Sequence, residues 1–184
     1  SGQLLTEDYY VANKLIKGFI GTANIDTNSR LCMASTVAGH KRAFGTDTVP
    51  GTYEDLDEAD LVVLVGSNLA WCHPVLHQRV LAAKIGSDVA LFNHLLAEIV
   101  ARGAQDQTFL QNTNGFDAAL ASARANDLSA TALDPADVAR FCDMWIGTKK
   151  VMTVFSQGVN QSTSGADKVN AILNCHLATG RIGT

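Results

Sequence analysis

Cys32 is the residue whose setting could support the most chemistry. It stands in the stretch NIDTNSRLCMAST, two residues after Arg30, where a polar and turn-rich loop gives way to a helical pattern. A helix N-terminus and a nearby guanidinium both favour the thiolate form of a cysteine. A thiolate can act as a nucleophile or as a soft metal ligand. The residues alone leave three interpretations of Cys32 open: a nucleophile, a metal ligand or an inert thiol.

The other three cysteines give a weaker signal. Cys72, Cys142 and Cys175 each lie within a helical pattern, which predicts small buried side chains. The four cysteines show no CxxC spacing, and this excludes zinc-ribbon and iron–sulfur motifs within the chain.

Two histidines have a spacing that a metal could use. His73 and His77 lie four residues apart on a predicted helix, but Pro74 stands where a zinc-protease motif has Glu, and no third ligand is evident. The sequence therefore does not predict a zinc site. The remaining histidines each stand alone on helices and are interpreted as structural; they are His40, His94 and His176.

Polar turns follow two β-rich segments. Gly-Ser-Asn at 66–68 comes after LVVLV, and the polar part of KKVMTVFSQGVNQSTSG repeats this pattern near the end of the chain. Ligands of open α/β sheets bind at the carboxyl ends of strands, where backbone N–H groups can hold phosphates and heterocycles. Neither turn matches GxGxxG or a P-loop, which disfavours a simple NAD or ATP site. Taken alone, either stretch could also be an ordinary turn.

Helical patterns surround these strands and must position the candidate residues. The pattern CMASTVAGHKRAFG predicts a helix whose first turn carries Cys32, and LTEDYYVANKLIKGFIG predicts a core-facing helix capped by Thr6 and ended by Gly18. Further helices are predicted over AWCHPVLHQRVLAAK, DVALFNHLLAEIVARG, DQTFLQNTNGFDAALASARAN, LDPADVARFCDMWIGT and ADKVNAILNCHLATGRIG. The recurring order of strand, turn and helix predicts an α/β fold with a parallel sheet.

Composition narrows the class of protein. The 184 residues suit one domain, with 47% hydrophobic and 17% charged residues and a net charge of −4. No Lys/Arg run favours nucleic acid, and the longest apolar run is too short to span a membrane. The opening SGQLLTEDYY lacks the features of a signal peptide. Together with scattered cysteines, this predicts a cytoplasmic protein with reduced thiols.

Three long blocks resemble one family. SGQLLTEDYYVANKLIKGFIGTANIDTNSRLCMAS, AFGTDTVPGTYEDLDEADLVVLVGSNLAWCHPVL and VFSQGVNQSTSGADKVNAILNCHLATGRIG are similar to the catalytic subunits of bacterial assimilatory nitrate reductases, within the molybdopterin oxidoreductases. The resemblance covers nearly the whole chain. It implies one cofactor-binding region over 1–184, with a Rossmann-like parallel sheet flanked by helices. It also implies reduction of nitrate to nitrite by two-electron oxygen-atom transfer at molybdenum.

The resemblance implies specific residue roles. Cys32 would be the thiolate ligand of molybdenum, and Met33 would line the substrate pocket. The cofactor would be bis(molybdopterin guanine dinucleotide), with Asp88 bonding its guanosine portion. The residues implied to bind this cofactor are Gln3, Asn28, Gly66, Ser67, Asn68, Ser87, Asp88, Gln157, Gly158 and Gln161.

The chain also departs from the family pattern. The family's four-iron, four-sulfur cluster belongs to a domain that is not present here. Lys84 runs directly into Ile85 where the family has a further strand, which predicts either a deletion or a gap that continuous numbering conceals. Gly51 and Thr52 stand where Cys-Cys is expected. The implied partners are nitrate, an electron-donor protein or subunit, and further domains of the same enzyme. A formate dehydrogenase-type enzyme, an inactive binding domain and a cysteine hydrolase remain alternatives.

Overall fold

The computed structural model describes residues 4–26, 32–68, 88–131 and 133–182, without the side chains of residues 130 and 157. Its strands are β1 (Leu61–Val65) and β2 (Val151–Phe155). Three helices precede β1: α1 (Thr6–Asn13), which continues as a π-helical segment (Lys14–Ile20), α2 (Ala34–Phe44) and α3 (Glu54–Glu58). Among the described residues between the strands, four helices are found: α4 (Asp88–Ala101), α5 (Gln107–Leu110), α6 (Phe116–Arg124) and α7 (Pro135–Gly147), with a 3₁₀ turn at Leu128–Thr131. The short α8 (Gln157–Asn160) and the long α9 (Gly165–Ala178) follow β2.

The two strands pair in parallel, as the sequence predicts. Leu61 lies opposite Val151 and Val65 opposite Phe155. One face of the pair contributes to the main core, and the other packs around Leu56 of α3. Burial on both faces explains why neither strand alternates apolar and polar residues.

The main core lies between the sheet and helices α4, α7 and α9. Its largest fully buried side chains include Trp145, Phe92 and Ile172, each of which contributes about 1.5–3 kcal/mol through loss of water contact. Cys142 and Cys175 are also fully buried, which confirms the interpretation of both as small core residues. Cys72 lies outside the described residues.

Local signals explain where most helices begin and end. The Asp134 carboxylate accepts from Ala136 N–H at 2.7 Å, and Pro135 is the first residue of α7, as predicted. The single helix predicted over residues 106–126 is wrong, because Gly115 adopts a left-handed conformation with φ +79° and separates α5 from α6. The helix predicted over residues 70–84 lies outside the described residues.

The first helix differs most from its prediction. Neither α1 nor its π-helical continuation has a buried residue, and Tyr10 and Phe19 are exposed. The helix also passes Gly18 and ends at Gly21, which has φ +75°. The prediction that this helix faces the core is therefore wrong for the described residues. Among the helices that the structure describes, none has the length and hydrophobicity needed to cross a bilayer.

Candidate functional site

The first polar turn (residues 66–68) and the second polar turn (residues 157–161) meet at the carboxyl ends of the strands. The second was predicted as a turn, but most of it forms the short helix α8. Gly158 N–H donates to Gly66 O at 2.9 Å. A Cβ built on Gly66 would lie 2.8 Å from the Gly158 backbone, and one on Gly158 would lie 2.7 Å from Gly66 Cα. Gly66 also has φ +55°, a conformation that strains other residues. Glycine at both positions therefore allows the two predicted turns to touch.

Serine hydroxyls near both turns are buried without a hydrogen-bond partner among the described residues. Ser67 Oγ lies in the first polar turn, and Ser162 Oγ lies directly after the second. Buried polar atoms nearly always have a partner, so both hydroxyls could bond a polar ligand. Asn68 and Gln161 have exposed side chains in the same turns, whereas the side chain of Gln157 lies outside the described residues.

Cys32 and Met33 form the turn that enters α2, and both are exposed. The prediction that the first helical turn carries Cys32 is wrong, because α2 begins at Ala34. Met33 is the N-cap residue, with φ −110° and ψ 14°, so Cys32 precedes the helix. Asn28 and Arg30 lie outside the described residues, as do Gln3 and Ser87.

Asn160 connects the start of α2 to the second polar turn. Ser35 Oγ donates to Asn160 O at 2.9 Å, and Thr36 Oγ1 donates to Asn160 Oδ1. These bonds are made two and three residues after Met33. They place the turn that carries Cys32 beside the second polar turn, although the two are more than 120 residues apart in sequence.

Close backbone packing reinforces this connection. A Cβ on Gly165 would lie 2.3 Å from Ser35 Oγ, and a Cβ on Gly39 would lie 2.3 Å from Val169 Cγ1. Ser35 thus packs near the start of α9 and Gly39 one turn further along, so α2 and α9 run parallel. Their N-termini lie at the same end, and helix N-termini carry partial positive charge. This end of the helix pair can therefore attract an anion.

Asp88 is buried at the first residue of α4, where it is 8% exposed. Its Oδ2 lies 3.0 Å from Lys168 Nζ of α9. Lys168 Nζ also donates to Gly158 O at 3.4 Å. Asp88 is therefore linked to the second polar turn through one lysine.

Burial makes the other described thiols unreactive. It raises the pKa of the Cys142 thiol to about 11 and that of Cys175 well above its ordinary value. Both thiols stay protonated at neutral pH, so neither is a good nucleophile or metal ligand. Of the cysteines that the structure describes, only Cys32 is exposed.

The described histidines do not form a metal site. His40 and His176 are buried, and desolvation lowers the pKa of both, that of His176 to about 4. Within the described ranges, no three His, Cys, Asp or Glu side chains lie close enough to hold a metal ion. A metal at Cys32 would therefore find no ready-made cluster of protein ligands among the described residues. His73 and His77 lie outside the described residues.

Sequence reasoning missed Asn160 and Lys168. Each contact had a weak signal in the sequence, for Asn160 in the two residues that bond it and for Lys168 in its own position. Ser35 and Thr36 are hydroxyl residues near a helix start, where such residues often bond to nearby backbone or side chains. Lys168 is a cation in the first turn of α9, where the helix dipole disfavours positive charge.

Comparison with known proteins gives a consistent family. A model of the family described as "Molybdopterin oxidoreductase" matches residues 1–184. The chain is 46% identical over 220 residues to a "Nitrate reductase" of Shewanella frigidimarina and 48% identical over 216 residues to one of Klebsiella oxytoca. All of this chain is covered, but only 23% and 24% of those relatives. Because both alignments are longer than the 184 residues here, each relative contains residues that have no counterpart in this chain.

A solved structure supports the fold. Acetylene hydratase from Pelobacter acetylenicus has a TM-score of 0.69 to this structure at 14% sequence identity. The match covers 94% of this chain and 28% of the hydratase. At this level of identity the likeness concerns the fold alone, and it agrees with a partial α/β unit of a larger protein.

Proposed function

Because the chain belongs to the molybdopterin oxidoreductase family, we propose that it is the part of a nitrate reductase that holds the metal-binding cysteine and one wall of the cofactor site. Relatives named nitrate reductase at 46% and 48% identity support this choice. The chain spans about a quarter of their length, so the activity proposed here is that of a longer enzyme. Nitrate is the proposed substrate of that enzyme.

The two polar turns suit a large polar cofactor. The contact between Gly66 and Gly158 leaves backbone groups close together without side chains between them. Ser67 Oγ has no hydrogen-bond partner within the part of the chain that the structure describes, and it lies beside this contact. Exposed Cys32 supplies a sulfur ligand where no cluster of other metal-binding side chains is found in the described residues. These features fit a molybdenum ion whose other ligands come from pterin dithiolenes.

Each residue group would then have its own task. Cys32 would bind molybdenum, Met33 would line the space for nitrate, and Asp88 would bond the guanosine of bis(molybdopterin guanine dinucleotide). When bound, the cofactor supplies the two-electron reduction that removes one oxygen atom from nitrate. The residues proposed to hold it are Gln3, Asn28, Gly66, Ser67, Asn68, Ser87, Asp88, Gln157, Gly158 and Gln161.

The parallel pair of α2 and α9 would assist the anionic substrate. Both N-termini lie near the turn that carries Cys32, and each contributes partial positive charge. Nitrate carries one negative charge, so this field favours its entry. Asn160 would keep the Cys32 turn at a fixed distance from the second polar turn through Ser35 and Thr36.

Features beyond the site belong to the same proposal. The enzyme would receive electrons from a donor protein or subunit through a four-iron, four-sulfur cluster in another of its domains. We place it in the cytoplasm and in nitrate assimilation. The described cysteines Cys32, Cys142 and Cys175 are free thiols, which is common in a reducing compartment.

The observation that carries the proposal is the bonding of Ser35 and Thr36 to Asn160, because it places the Cys32 turn beside the second polar turn. The test is molybdenum and pterin analysis of the full-length protein, wild type against Cys32→Ala, with nitrate reduction measured on both. We expect Cys32→Ala to abolish turnover. Cys142→Ala, with its unfolding midpoint checked, is the control for removal of a cysteine outside the site.

Each alternative predicts a different result when formate oxidation and iodoacetamide inactivation are measured beside nitrate reduction. Near-normal nitrate reduction by Cys32→Ala would remove Cys32 from the mechanism. Formate oxidation without nitrate reduction would favour a formate dehydrogenase-type enzyme. Absence of molybdenum and pterin from the wild type would favour a binding domain. Stoichiometric inactivation by iodoacetamide without any metal dependence would favour a cysteine hydrolase.

A further inference from the structure

Lys168 contacts two parts of the candidate site that would hold different portions of the cofactor. Its Nζ lies 3.0 Å from Asp88 Oδ2 and 3.4 Å from Gly158 O. Asp88 is proposed above to bond the guanosine, and Gly158 lies in the turn proposed for a pterin. A single side chain of α9 therefore links both regions.

The Lys168–Asp88 pair differs from the surface ion pairs of the described residues. Its side chains are 17% and 10% exposed, whereas those of Lys150 and Glu58 are 54% and 71% exposed at the same separation of 3.0 Å. Withdrawal of two charges from water is costly unless they are paired. The fold keeps both charges largely out of water, which distinguishes this pair from an incidental surface contact.

The helix dipoles indicate that Lys168 is present for its contacts and not for the stability of α9. A cation in the first turn of α9 is disfavoured by the partial positive charge of that N-terminus, whereas Asp88 at the start of α4 is favoured. The ion pair with Asp88 offsets the unfavourable interaction between the Lys168 charge and the helix dipole. An uncharged residue would fit the start of α9 more easily, so the lysine is explained by what it contacts.

We propose that Lys168 is a positioning residue that orients Asp88 for guanine and so determines the nucleotide that the cofactor carries. This inference rests on the function proposed above. Lys168 occupies one lone pair of Asp88 Oδ2 and fixes the plane of the carboxylate. Each carboxylate oxygen has two lone-pair positions, so both oxygens can still accept from a ligand.

A carboxylate held in this way discriminates between bases. Guanine presents two adjacent N–H donors on its pairing edge, and both carboxylate oxygens can accept from them. Adenine and cytosine present one donor beside a ring-nitrogen acceptor, which a carboxylate repels. The contact of Lys168 with Gly158 O also fixes the distance between Asp88 and the second polar turn.

The experiment compares cofactor content in the full-length protein. Wild type, Lys168→Met, Lys168→Arg and the double variant Asp88→Asn/Lys168→Met are purified under identical conditions and dialysed. Molybdenum per protein and the guanine, adenine and cytosine released by acid hydrolysis are then measured. Lys150→Met is the matched control, because it removes an exposed lysine–carboxylate pair. Unfolding midpoints show which variants are folded.

We expect Lys168→Met to lower bound guanine about tenfold or more, Lys168→Arg to restore most of it, and Lys150→Met to match wild type. The double variant has no unpaired buried charge, so it should fold and still lack guanine. Wild-type guanine content in folded Lys168→Met or in the double variant would overturn this inference alone. A wild-type protein that contains neither molybdenum nor guanine would overturn the proposed function as well.

Discussion

Gly66 and Gly158 are in direct backbone contact, with Gly158 N–H donating to Gly66 O at 2.9 Å. Gly66 directly follows β1 and Gly158 lies in α8 just beyond β2, so the contact joins the two chain segments that leave the sheet. Neither position has room for a Cβ. The relative position of the two polar turns therefore depends on two glycines, and this dependence can be measured.

Alanine at either glycine should destabilise the protein. We expect Gly66→Ala and Gly158→Ala each to lower the free energy of unfolding by about 1–3 kcal/mol, because the added Cβ would lie under 3 Å from the facing backbone. Urea denaturation measures the change. Gly147→Ala is the control: this helical glycine has no atom within 4 Å of an added Cβ, and alanine should stabilise it by about 0.5–1 kcal/mol. Equal effects at all three glycines would contradict the proposed close contact.

Loss of the Thr36 hydroxyl should loosen the connection between α2 and the second polar turn. Thr36→Val keeps the shape of the side chain but leaves Asn160 Oδ1 without its donor, which should cost about 1–2 kcal/mol. If the proposed function is right, nitrate turnover by the full-length enzyme should fall as well, since the Cys32 turn precedes this bond. Thr108→Val, at an exposed position of α5, should change neither quantity. Unaltered stability and turnover in Thr36→Val would show that this bond does not position Cys32.

Buried His176 should make the protein less stable in acid. Desolvation is the largest cause that lowers its pKa from 6.5 to about 4, so between these values the unfolded chain binds a proton that the folded chain does not. Stability therefore rises with pH across this window, by up to about 1.4 kcal/mol per pH unit from this one group. The free energy of unfolding, measured by urea denaturation at several pH values, should depend less steeply on pH in His176→Gln than in wild type. Glutamine can still bond Thr153, whose Oγ1 lies 2.8 Å from His176 Nε2. The same slope in His176→Gln and wild type would assign the acid sensitivity to other groups.

Arg181 should be more important for stability than its place near the end of the chain suggests. Its guanidinium lies 4.4 Å from the Trp145 ring and donates to Trp145 O, Ile146 O and Thr148 O at the end of α7. We expect Arg181→Met to cost about 2–4 kcal/mol. Arg181→Lys should recover only part of this, because an ammonium cannot reproduce the planar fork.

The control for Arg181 is an arginine in an exposed ion pair. Arg140 lies 2.9 Å from Asp137, with both side chains more than 60% exposed, and Arg140→Met should change stability by less than about 1 kcal/mol. Thermal or urea unfolding of Arg181→Met, Arg181→Lys and Arg140→Met measures these differences in stability. A loss in Arg140→Met as large as that in Arg181→Met would mean that the carbonyl contacts add little.

The sequence was most informative where local chemistry decides the structure. The apolar runs that became β1 and β2 predicted a parallel pair, since neither run alternates and both must be buried. Asp134 followed by Pro135 predicted the start of α7 correctly. Gly66 and Gly158 were chosen as site residues by resemblance, and the structure shows that they touch. Their contact depends on strand register, which composition does not specify.

The predictions failed where distant parts of the chain decide the structure. Apolar periodicity predicts that α1 has an apolar side but not that a partner covers it, and the helix has no buried residue. The start of α2 at Ala34 depends on the backbone angles of Met33. Asn160 and Lys168 were missed because their partners are remote in sequence.

The packing of α2 against α9 limits how the protein can move. The side chain of Val169 packs onto the backbone at Gly39, and that of Ser35 packs onto the backbone at Gly165, so these two contacts oppose sliding along the shared axis. A rigid pair of this kind transmits displacement instead of absorbing it. If Cys32 binds a metal as proposed, adjustment of its sulfur would come from torsions of the exposed Cys32–Met33 turn and not from sliding of the two helices.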